Sequence, residues 1–284
     1  MEYFKVDLYE YFGREKPENA KATLTCTLHE VISDISLQRK SPAMLVIPGG
    51  GYAECCQREA EPIATRFFSD GYNTFVLDYS VKPCVYPTAF QEAAMAMAYI
   101  RLEYKKLKIK QDNVAVVGFS AGGHLCGCLG AMFENECLDF LKENKQYVRP
   151  DAIILVYAVI EPYLSQGCRS TFCNLCGGEN EEMYKELTLY NQVKPNSVPA
   201  FLVSTVGDKA APCQNSLDMA TAYNQNGVPF ALHIYERGEH GMATVDRLTY
   251  HQDKNLKEFS MDCKGWIELA LNWLSDDRRF HISH

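Results

Sequence analysis

The stretch Asn113-Val-Ala-Val-Val-Gly-Phe-Ser-Ala-Gly-Gly-His124 decides the fold of this chain. A run of apolar residues ends at Gly118, and small residues open a helix directly after Ser120. A Gly-x-Ser-x-Gly pattern at a sharp strand-to-helix turn exposes the serine hydroxyl at the edge of a sheet. The alternative is an ordinary serine in a glycine-rich turn, and the rest of the sequence has to separate the two interpretations.

Apolar runs around this stretch predict a mainly parallel sheet, because strands covered on both faces are apolar almost throughout. The runs span residues 43–48, 74–79, 113–118, 152–157, 200–206 and 230–235. The segments between them predict helices at residues 61–70, 88–107, 121–133, 214–225 and 264–274. Antiparallel edge strands are expected near residues 3–12 and 22–29. We therefore expect one α/β domain over residues 1–284, with helices on both faces of the sheet.

Residues 161–199 interrupt the alternation of strands and helices with mixed, poorly periodic sequence. In such a sheet, an insertion after the carboxyl end of a strand lies over the ligand crevice. A small cap over the site is the favoured interpretation, and a long surface loop is the alternative.

Composition argues against several kinds of partner. The 284 residues carry 28 Lys and Arg against 36 Asp and Glu, a formal net charge of −8. Nucleic-acid binding depends on clustered basic residues, so no nucleic-acid partner is expected. The first residues are charged where a secretory signal is apolar, and the longest apolar stretch, residues 152–160, is too short to span a bilayer. A cytoplasmic protein with no membrane partner is the expectation.

Twelve cysteines without a secretion signal predict free thiols in a reducing compartment. Cys173 and Cys176 form a C-x-x-C pair near Cys168, which raises the alternative of bound zinc. A second pair at ligand spacing is missing, and no histidine pair at zinc spacing follows. We therefore predict no disulfide, no metal and no catalytic thiol.

A second glycine-rich segment, Pro48-Gly49-Gly50-Gly51-Tyr52, follows the first long apolar run. Three glycines leave several backbone N–H groups unobstructed, as an oxyanion hole requires. The alternative is a flexible turn. Two glycine-rich loops that each end a strand, one of them carrying a serine, favour a site for nucleophilic catalysis.

A histidine and an aspartate complete this arrangement in chain order. His240 lies in Gly238-Glu-His-Gly241, just beyond the last apolar run, and Asp208 follows the run that ends at residue 206. The rival acid, Asp151, precedes its strand and is expected at the opposite edge of the sheet. Four other histidines, His29, His251, His281 and His284, belong to no such arrangement.

These motifs resemble α/β-hydrolase esterases near the hormone-sensitive-lipase group, especially bacterial acetyl-esterase and acetylxylan-esterase-like proteins, some of which are labelled xylanase. The resemblance covers nearly the whole chain. It includes Arg58-Glu-Ala-Glu-Pro62, Gly71-Tyr72, Tyr79-Ser-Val81, Arg149-Pro-Asp151, Asn215-Ser-Leu217 and Gly227-Val-Pro-Phe230, together with the glycine-rich, serine and histidine motifs. It implies the α/β-hydrolase fold with a small cap.

The resemblance also implies roles for individual residues. Ser120, Asp208 and His240 take the positions of a catalytic triad, and the N–H groups of Gly50, Gly51 and Ala121 form the oxyanion hole. Candidate substrate-binding residues are those beside the glycine loop and one turn into the serine helix, namely Tyr52, Cys55, Cys56 and His124.

The expected function is hydrolysis of short-chain esters, most simply acetyl esters of a sugar or another small alcohol, without a cofactor. A serine peptidase of the prolyl-oligopeptidase type shares this order of triad residues. A hydrolase-fold binding protein without activity is the other alternative. The partner is a small-molecule ester, and whether the chain forms a homo-oligomer stays open.

Overall fold

A computed structural model of the chain describes residues 1–30, 40–249 and 261–275. His251, His281 and His284 therefore lie outside the described residues. Within those ranges, none of the helices is long and apolar enough to cross a membrane.

Eight strands form a single sheet in the order β1-β2-β4-β3-β5-β6-β7-β8. The strands are β1 (Glu2–Asp7), β2 (Thr23–Leu28), β3 (Ser41–Ile47), β4 (Asn73–Asp78), β5 (Ile109–Phe119), β6 (Ala152–Val156), β7 (Ala200–Thr205) and β8 (Phe230–Tyr235). Strands β3 to β8 run parallel, and β1 and β2 add an antiparallel edge. The predicted fold class is confirmed.

Helices cover both faces of this sheet. They are α1 (Leu8–Tyr11), α2 (Glu61–Ser69), α3 (Thr88–Leu102), α4 (Ser120–Ala131), α5 (Gln166–Cys176), α6 (Glu181–Leu187), α7 (Gln214–Gln225) and α8 (Trp266–Leu274). Short 3-10 segments span Gln57–Glu59, Glu136–Tyr147, Leu189–Gln192 and Met261–Cys263.

Side chains of one strand alternate between two hydrophobic cores, which explains why the predicted runs are apolar throughout. In β3, Leu45 packs into the core that contains α3 and α4, whereas Met44 and Val46 pack into the core of α2 and α8. Successive side chains of a strand point to opposite faces, so a strand between two helical layers needs apolar residues at every position.

Two predicted elements were too long. The strand predicted near residues 3–12 ends at Asp7, because the Asp7 side chain accepts hydrogen bonds from the N–H groups of Tyr9 and Glu10 and caps α1. The helix predicted over residues 88–107 ends at Leu102, because β5 already begins at Ile109, where it pairs with Ser41 of β3. The other predicted elements are present, with ends that shift by a few residues.

Residues 161–199 contain α5, α6 and a 3-10 segment, not a simple loop. Ser165 caps the start of α5, where its hydroxyl oxygen accepts the Cys168 N–H, and Gly177 caps the end in a left-handed conformation with φ of 75°. The buried residues of α5, Cys168, Thr171, Phe172 and Leu175, lie at helical spacing, but a cysteine and a threonine make this stripe a weak signal in the sequence.

Candidate active site

Ser120 occupies the predicted sharp turn between β5 and α4. Its φ of 51° lies in the left-handed region, where non-glycine residues are uncommon and mark strained, functional positions. The flanking glycines are required by space: a Cβ on Gly118 would lie 2.3 Å from the carbonyl oxygen of Gly122. A Cβ on Gly122 would lie equally close to the carbonyl oxygens that end β3. The two glycines of the Gly-x-Ser-x-Gly pattern are therefore required by the packing of this turn.

The side chains of Ser120, His240 and Asp208 follow three different strands and form a hydrogen-bonded row. His240 Nε2 lies 2.9 Å from Ser120 Oγ, and His240 Nδ1 lies 2.7 Å from Asp208 Oδ2. The three residues follow β5, β7 and β8, whose carboxyl ends share one edge of the sheet. The structure thus brings together the serine, histidine and aspartate singled out in the sequence, and their catalytic role stays a prediction.

Backbone groups hold Asp208 in place. Asp208 is 3% exposed, and its Oδ1 accepts the N–H groups of Ala210 and Ala211, both at 2.9 Å. Oδ2 is left to face the imidazole of His240. A carboxylate fixed in this way favours the histidine tautomer that carries its proton on Nδ1 and leaves Nε2 free to accept a proton from the serine.

The rival acid Asp151 lies at the other edge of the sheet, as expected. Its Oδ2 accepts hydrogen bonds from Arg101 Nη2 at 2.9 Å and from the Val114 N–H at 2.8 Å. Burial raises the pKa of Asp151, and the Arg101 guanidinium opposes that rise. Asp151 therefore anchors the amino ends of the central strands and takes no part in the serine site.

A cavity of about 290 Å³ opens in front of Ser120 and His240. Its walls come from the glycine loop, the segment around Arg58, the end of β6, helix α5, and the loops that follow β7 and β8. The lining residues are Gly50, Gly51, Glu54, Cys56, Arg58, Glu59, Ser120, Val159, Gly167, Ser170, Thr171, Ala210, His240 and Gly241. Helix α5, from the predicted cap segment, thus contributes directly to the site.

The three predicted oxyanion-hole residues differ in whether they line the cavity. Gly50 and Gly51 line the cavity, whereas Ala121 is fully buried in the first turn of α4. Gly50 has φ of 124° and a Cβ there would lie 2.1 Å from the carbonyl oxygen of Glu54, so no other residue fits this turn. The first-turn N–H groups of a helix have no partner within the helix, which suits the Ala121 amide for binding an anion.

Of the four predicted substrate-binding residues, Cys56 lines the cavity and the other three are turned elsewhere. The Cys55 thiol faces the Tyr79 carbonyl oxygen at 3.5 Å. Tyr52 and His124 are buried, with the Tyr52 hydroxyl 3.0 Å from His124 Nδ1.

His124 connects the serine helix to the predicted cap segment. Its Nε2 lies 2.8 Å from the carbonyl oxygen of Leu187, at the end of α6, and Tyr52 reaches it from the glycine loop. Burial lowers the pKa of His124 to about 4, so the ring is neutral at pH 7. A neutral imidazole can donate to Leu187 and accept from Tyr52, and it fixes three segments around the site.

Sequence reasoning gave no role to Arg58 and Glu59, which both line the cavity. They belong to a motif that carries the family resemblance, and they follow the glycine loop by a few residues. Their proximity to the glycine loop in the sequence was the signal that could have identified them as site residues. Glu59 is 3% exposed, although glutamate is almost never fully buried unless it is paired, and only the three-dimensional contacts reveal why.

The twelve cysteines are free thiols in the structure. Cys173 and Cys176 lie on α5, one turn apart. In the described part of the chain, no three His, Cys, Asp or Glu side chains are grouped as a metal-binding set.

Comparison with known proteins identifies the family of this sequence. Residues 31–223 match the family described as BD-FAE. This match includes the glycine loop, Ser120 and Asp208 and ends before His240.

Two curated relatives are similar to the chain over most of its length. "Endo-1,4-beta-xylanase B" of Butyrivibrio fibrisolvens is 33% identical over 231 residues, which are 78% of this chain and 36% of that protein. "Acetylxylan esterase" of Xylanibacter ruminicola is 25% identical over 260 residues, which are 88% of this chain and 49% of that protein. The chain thus spans less than half the length of these relatives.

A solved structure matches the whole fold. The acetyl ester-xyloside bifunctional hydrolase from Caldicellulosiruptor lactoaceticus superimposes with a TM-score of 0.76 at 29% identity, and the match covers 94% of this chain and 96% of that one. The two chains therefore share the same fold over the matched residues.

Proposed function

Because this chain belongs to the BD-FAE family and has the α/β-hydrolase fold of known carboxylic ester hydrolases, we propose that it hydrolyses carboxylic esters with Ser120 as nucleophile. The observation that carries the proposal is the continuous hydrogen-bonded row from Ser120 through His240 to Asp208 at the wall of a cavity. His240 is the general base, and Asp208 orients it and stabilises its protonated form.

Acylation is the first step. Ser120 Oγ attacks the ester carbonyl carbon while His240 Nε2 accepts the hydroxyl proton. The carbonyl oxygen becomes an anion, which the N–H groups of Gly50, Gly51 and Ala121 stabilise. Collapse of this intermediate breaks the bond to the leaving alcohol, and His240 returns the proton to that oxygen.

Deacylation follows by the same groups. A water molecule gives its proton to His240 and attacks the acyl carbon, and a second oxyanion forms in the same hole. Its collapse frees Ser120, which regains its proton from His240, and releases a carboxylic acid. Every proton in this sequence moves through one imidazole, so the proposed chemistry requires no cofactor.

The cavity supports a short acyl group. Among its walls the apolar side chains are small, namely Val159, Ala210 and Cys56, and the space of about 290 Å³ also has to hold part of the alcohol. A long acyl chain would find no extended apolar channel in these walls. The names of two similar proteins, acetylxylan esterase and acetyl ester-xyloside bifunctional hydrolase, favour an acetyl group on a sugar. We propose acetylated sugars as the substrate class.

Acyl length gives the test of this proposal. Aryl acetate should be hydrolysed with a kcat/KM at least about tenfold above that of aryl octanoate, because a long chain without room in the cavity displaces the ester carbonyl from Ser120. Misplacement of the reacting groups by about 1 Å can cost about a hundredfold in rate. Rates on acetyl, butyryl and octanoyl esters and on an acetylated xylo-oligosaccharide measure this directly. Equal or better turnover of the octanoyl ester would contradict the proposed acyl site.

The same assay separates the two rival functions. An aminoacyl-proline amide cleaved faster than aryl acetate would favour the peptidase. Failure of a fluorophosphonate to label Ser120 in the folded wild-type protein would favour a binding protein, because the reagent needs an activated serine.

The thiol at the cavity wall gives a second test. A bulky maleimide should inhibit aryl acetate hydrolysis through Cys56, whereas chelators and mild reductants should leave it unchanged. Burial and then the charge of Glu59 raise the pKa of the Cys56 thiol, so inhibition should be slower at pH 7 than at pH 9. Residual activity is measured after timed exposure at both pH values.

The neighbouring thiol serves as the matched control. Cys56→Ser should protect the enzyme from the maleimide, and Cys55→Ser should not, because the Cys55 thiol faces Tyr79. Full inhibition of Cys56→Ser would show that another thiol controls access to the cavity.

A further inference from the structure

Glu59 lies at the wall of the cavity as a buried carboxylate outside the Ser120, His240 and Asp208 row. A buried carboxylate is unfavourable unless it is paired or hydrogen-bonded. Burial accordingly raises the pKa of Glu59, and hydrogen bonds from Tyr157 and Gly49 oppose that rise. The position of these two donors indicates what the carboxylate does.

One carboxylate oxygen holds the glycine loop. Glu59 Oε2 accepts the Gly49 N–H at 2.8 Å, directly before the proposed oxyanion-hole residues Gly50 and Gly51. A Cβ on Gly49 would lie 2.7 Å from this oxygen and 2.9 Å from Ser120 Cβ, so Gly49 is enclosed between the carboxylate and the serine turn. The distance between the glycine loop and Ser120 therefore depends on the hydrogen bond from Gly49 to Glu59.

The other oxygen holds the histidine loop through a tyrosine. Glu59 Oε1 accepts the Tyr157 hydroxyl at 2.8 Å, and that hydroxyl oxygen accepts the Ala243 N–H at 3.2 Å. The Tyr157 ring also meets the imidazole of His240 edge to face, with ring centroids 5.0 Å apart. Tyr157 thus contacts both the histidine and the backbone that follows it.

We propose that Glu59 is a positioning residue for the hydrolysis, and that it sets the distance between the glycine loop and the histidine loop. We call this connection of Gly49, Glu59, Tyr157 and Ala243 the Glu59 brace. The inference rests on the proposed esterase function. The brace acts on groups that bind the transition state, so its loss should lower kcat and leave KM for a small acetyl ester nearly unchanged.

The test is Glu59→Gln. Glutamine keeps the size of the side chain, but its amide offers one accepting oxygen in place of two, so the hydrogen bond from the second donor is broken or reversed. We expect kcat for aryl acetate to fall about 10- to 100-fold, as misplacement of reacting groups does, with KM within about threefold. The matched control is Glu61→Gln, an exposed carboxylate in the same motif, which should retain wild-type kcat.

A double-mutant cycle separates positioning from general loss of stability. Tyr157→Phe keeps the ring against His240 and removes the hydroxyl, so it should lower kcat through the same connection. The loss in the double variant should be smaller than the product of the two single losses. If Glu59→Gln does not fold, the kcat of Tyr157→Phe alone tests the Glu59 brace, and a kcat equal to that of the wild type would overturn it.

The wild-type protein is assayed first. No turnover of aryl acetate and no fluorophosphonate adduct on Ser120 in the wild type would refute the proposed function itself. An active wild type beside a folded Glu59→Gln that has a lower Tm but unchanged kcat would overturn the Glu59 brace alone. Independent, multiplicative losses in the double-mutant cycle would overturn it as well.

Discussion

Ser120→Ala should fold like the wild type and lose at least about a thousandfold in kcat for aryl acetate, because residues of a triad act as a unit. What remains is catalysis by the oxyanion hole and by binding. Alanine accepts the left-handed φ of 51° with the same strain as serine, so the turn itself should not change. The KM should stay close to the wild-type value.

The measurement is steady-state kinetics beside a thermal melt, with Ser69→Ala as control. Ser69 is exposed at the end of α2, its hydroxyl donates to the Arg66 carbonyl oxygen, and it is not among the residues that line the cavity. The control should retain full activity and fluorophosphonate labelling. Ser120→Ala that keeps more than a few per cent of wild-type turnover would disprove the assignment of the nucleophile.

Asp208→Asn should reduce kcat by about 10⁴-fold with little effect on folding, as expected when the histidine is held in the wrong tautomer. The N–H groups of Ala210 and Ala211 will continue to bind the side-chain oxygen, which turns the new NH₂ group toward His240 Nδ1. Nδ1 must then accept a hydrogen bond, so Nε2 carries the proton and cannot receive one from Ser120.

Asp151→Asn gives the informative comparison. Asp151 pairs with Arg101 at the opposite edge of the sheet, with 2.9 Å between Oδ2 and Nη2. Its amide variant should melt at a lower temperature and keep a kcat near that of the wild type. If Asp151→Asn lost activity while Asp208→Asn kept it, the acid would have been assigned to the wrong residue.

The sheet and the serine site could be predicted from sequence because both depend on local patterns. Strands between two helical layers are apolar at every position, and the serine turn requires its glycines for space. Chain order then places Asp208 and His240 after later strands, whose carboxyl ends share the edge that carries Ser120. Parallel pairing alone brings these loops together.

The features of the site that could not be predicted from sequence depend on three-dimensional contacts. From its sequence neighbours alone, Glu59 is expected at the surface. Its buried carboxylate accepts a hydrogen bond from Tyr157, which lies 98 residues away in the sequence. Cys55 and Cys56 are neighbours with the same chemistry, and only the backbone conformation decides that Cys56 lines the cavity. At the amino terminus, the side chain of Asp7 ends a strand that the alternation of residues would have continued.

The order of the strands has a consequence for the life of the protein on the ribosome. The glycine loop, Ser120 and Asp208 all leave the ribosome before β8, and His240 emerges only after that edge strand. By the proposed mechanism hydrolysis requires His240, so it can begin only after β8 and the loop that follows it have been synthesised. A chain interrupted before that point would carry Ser120 without its proposed general base.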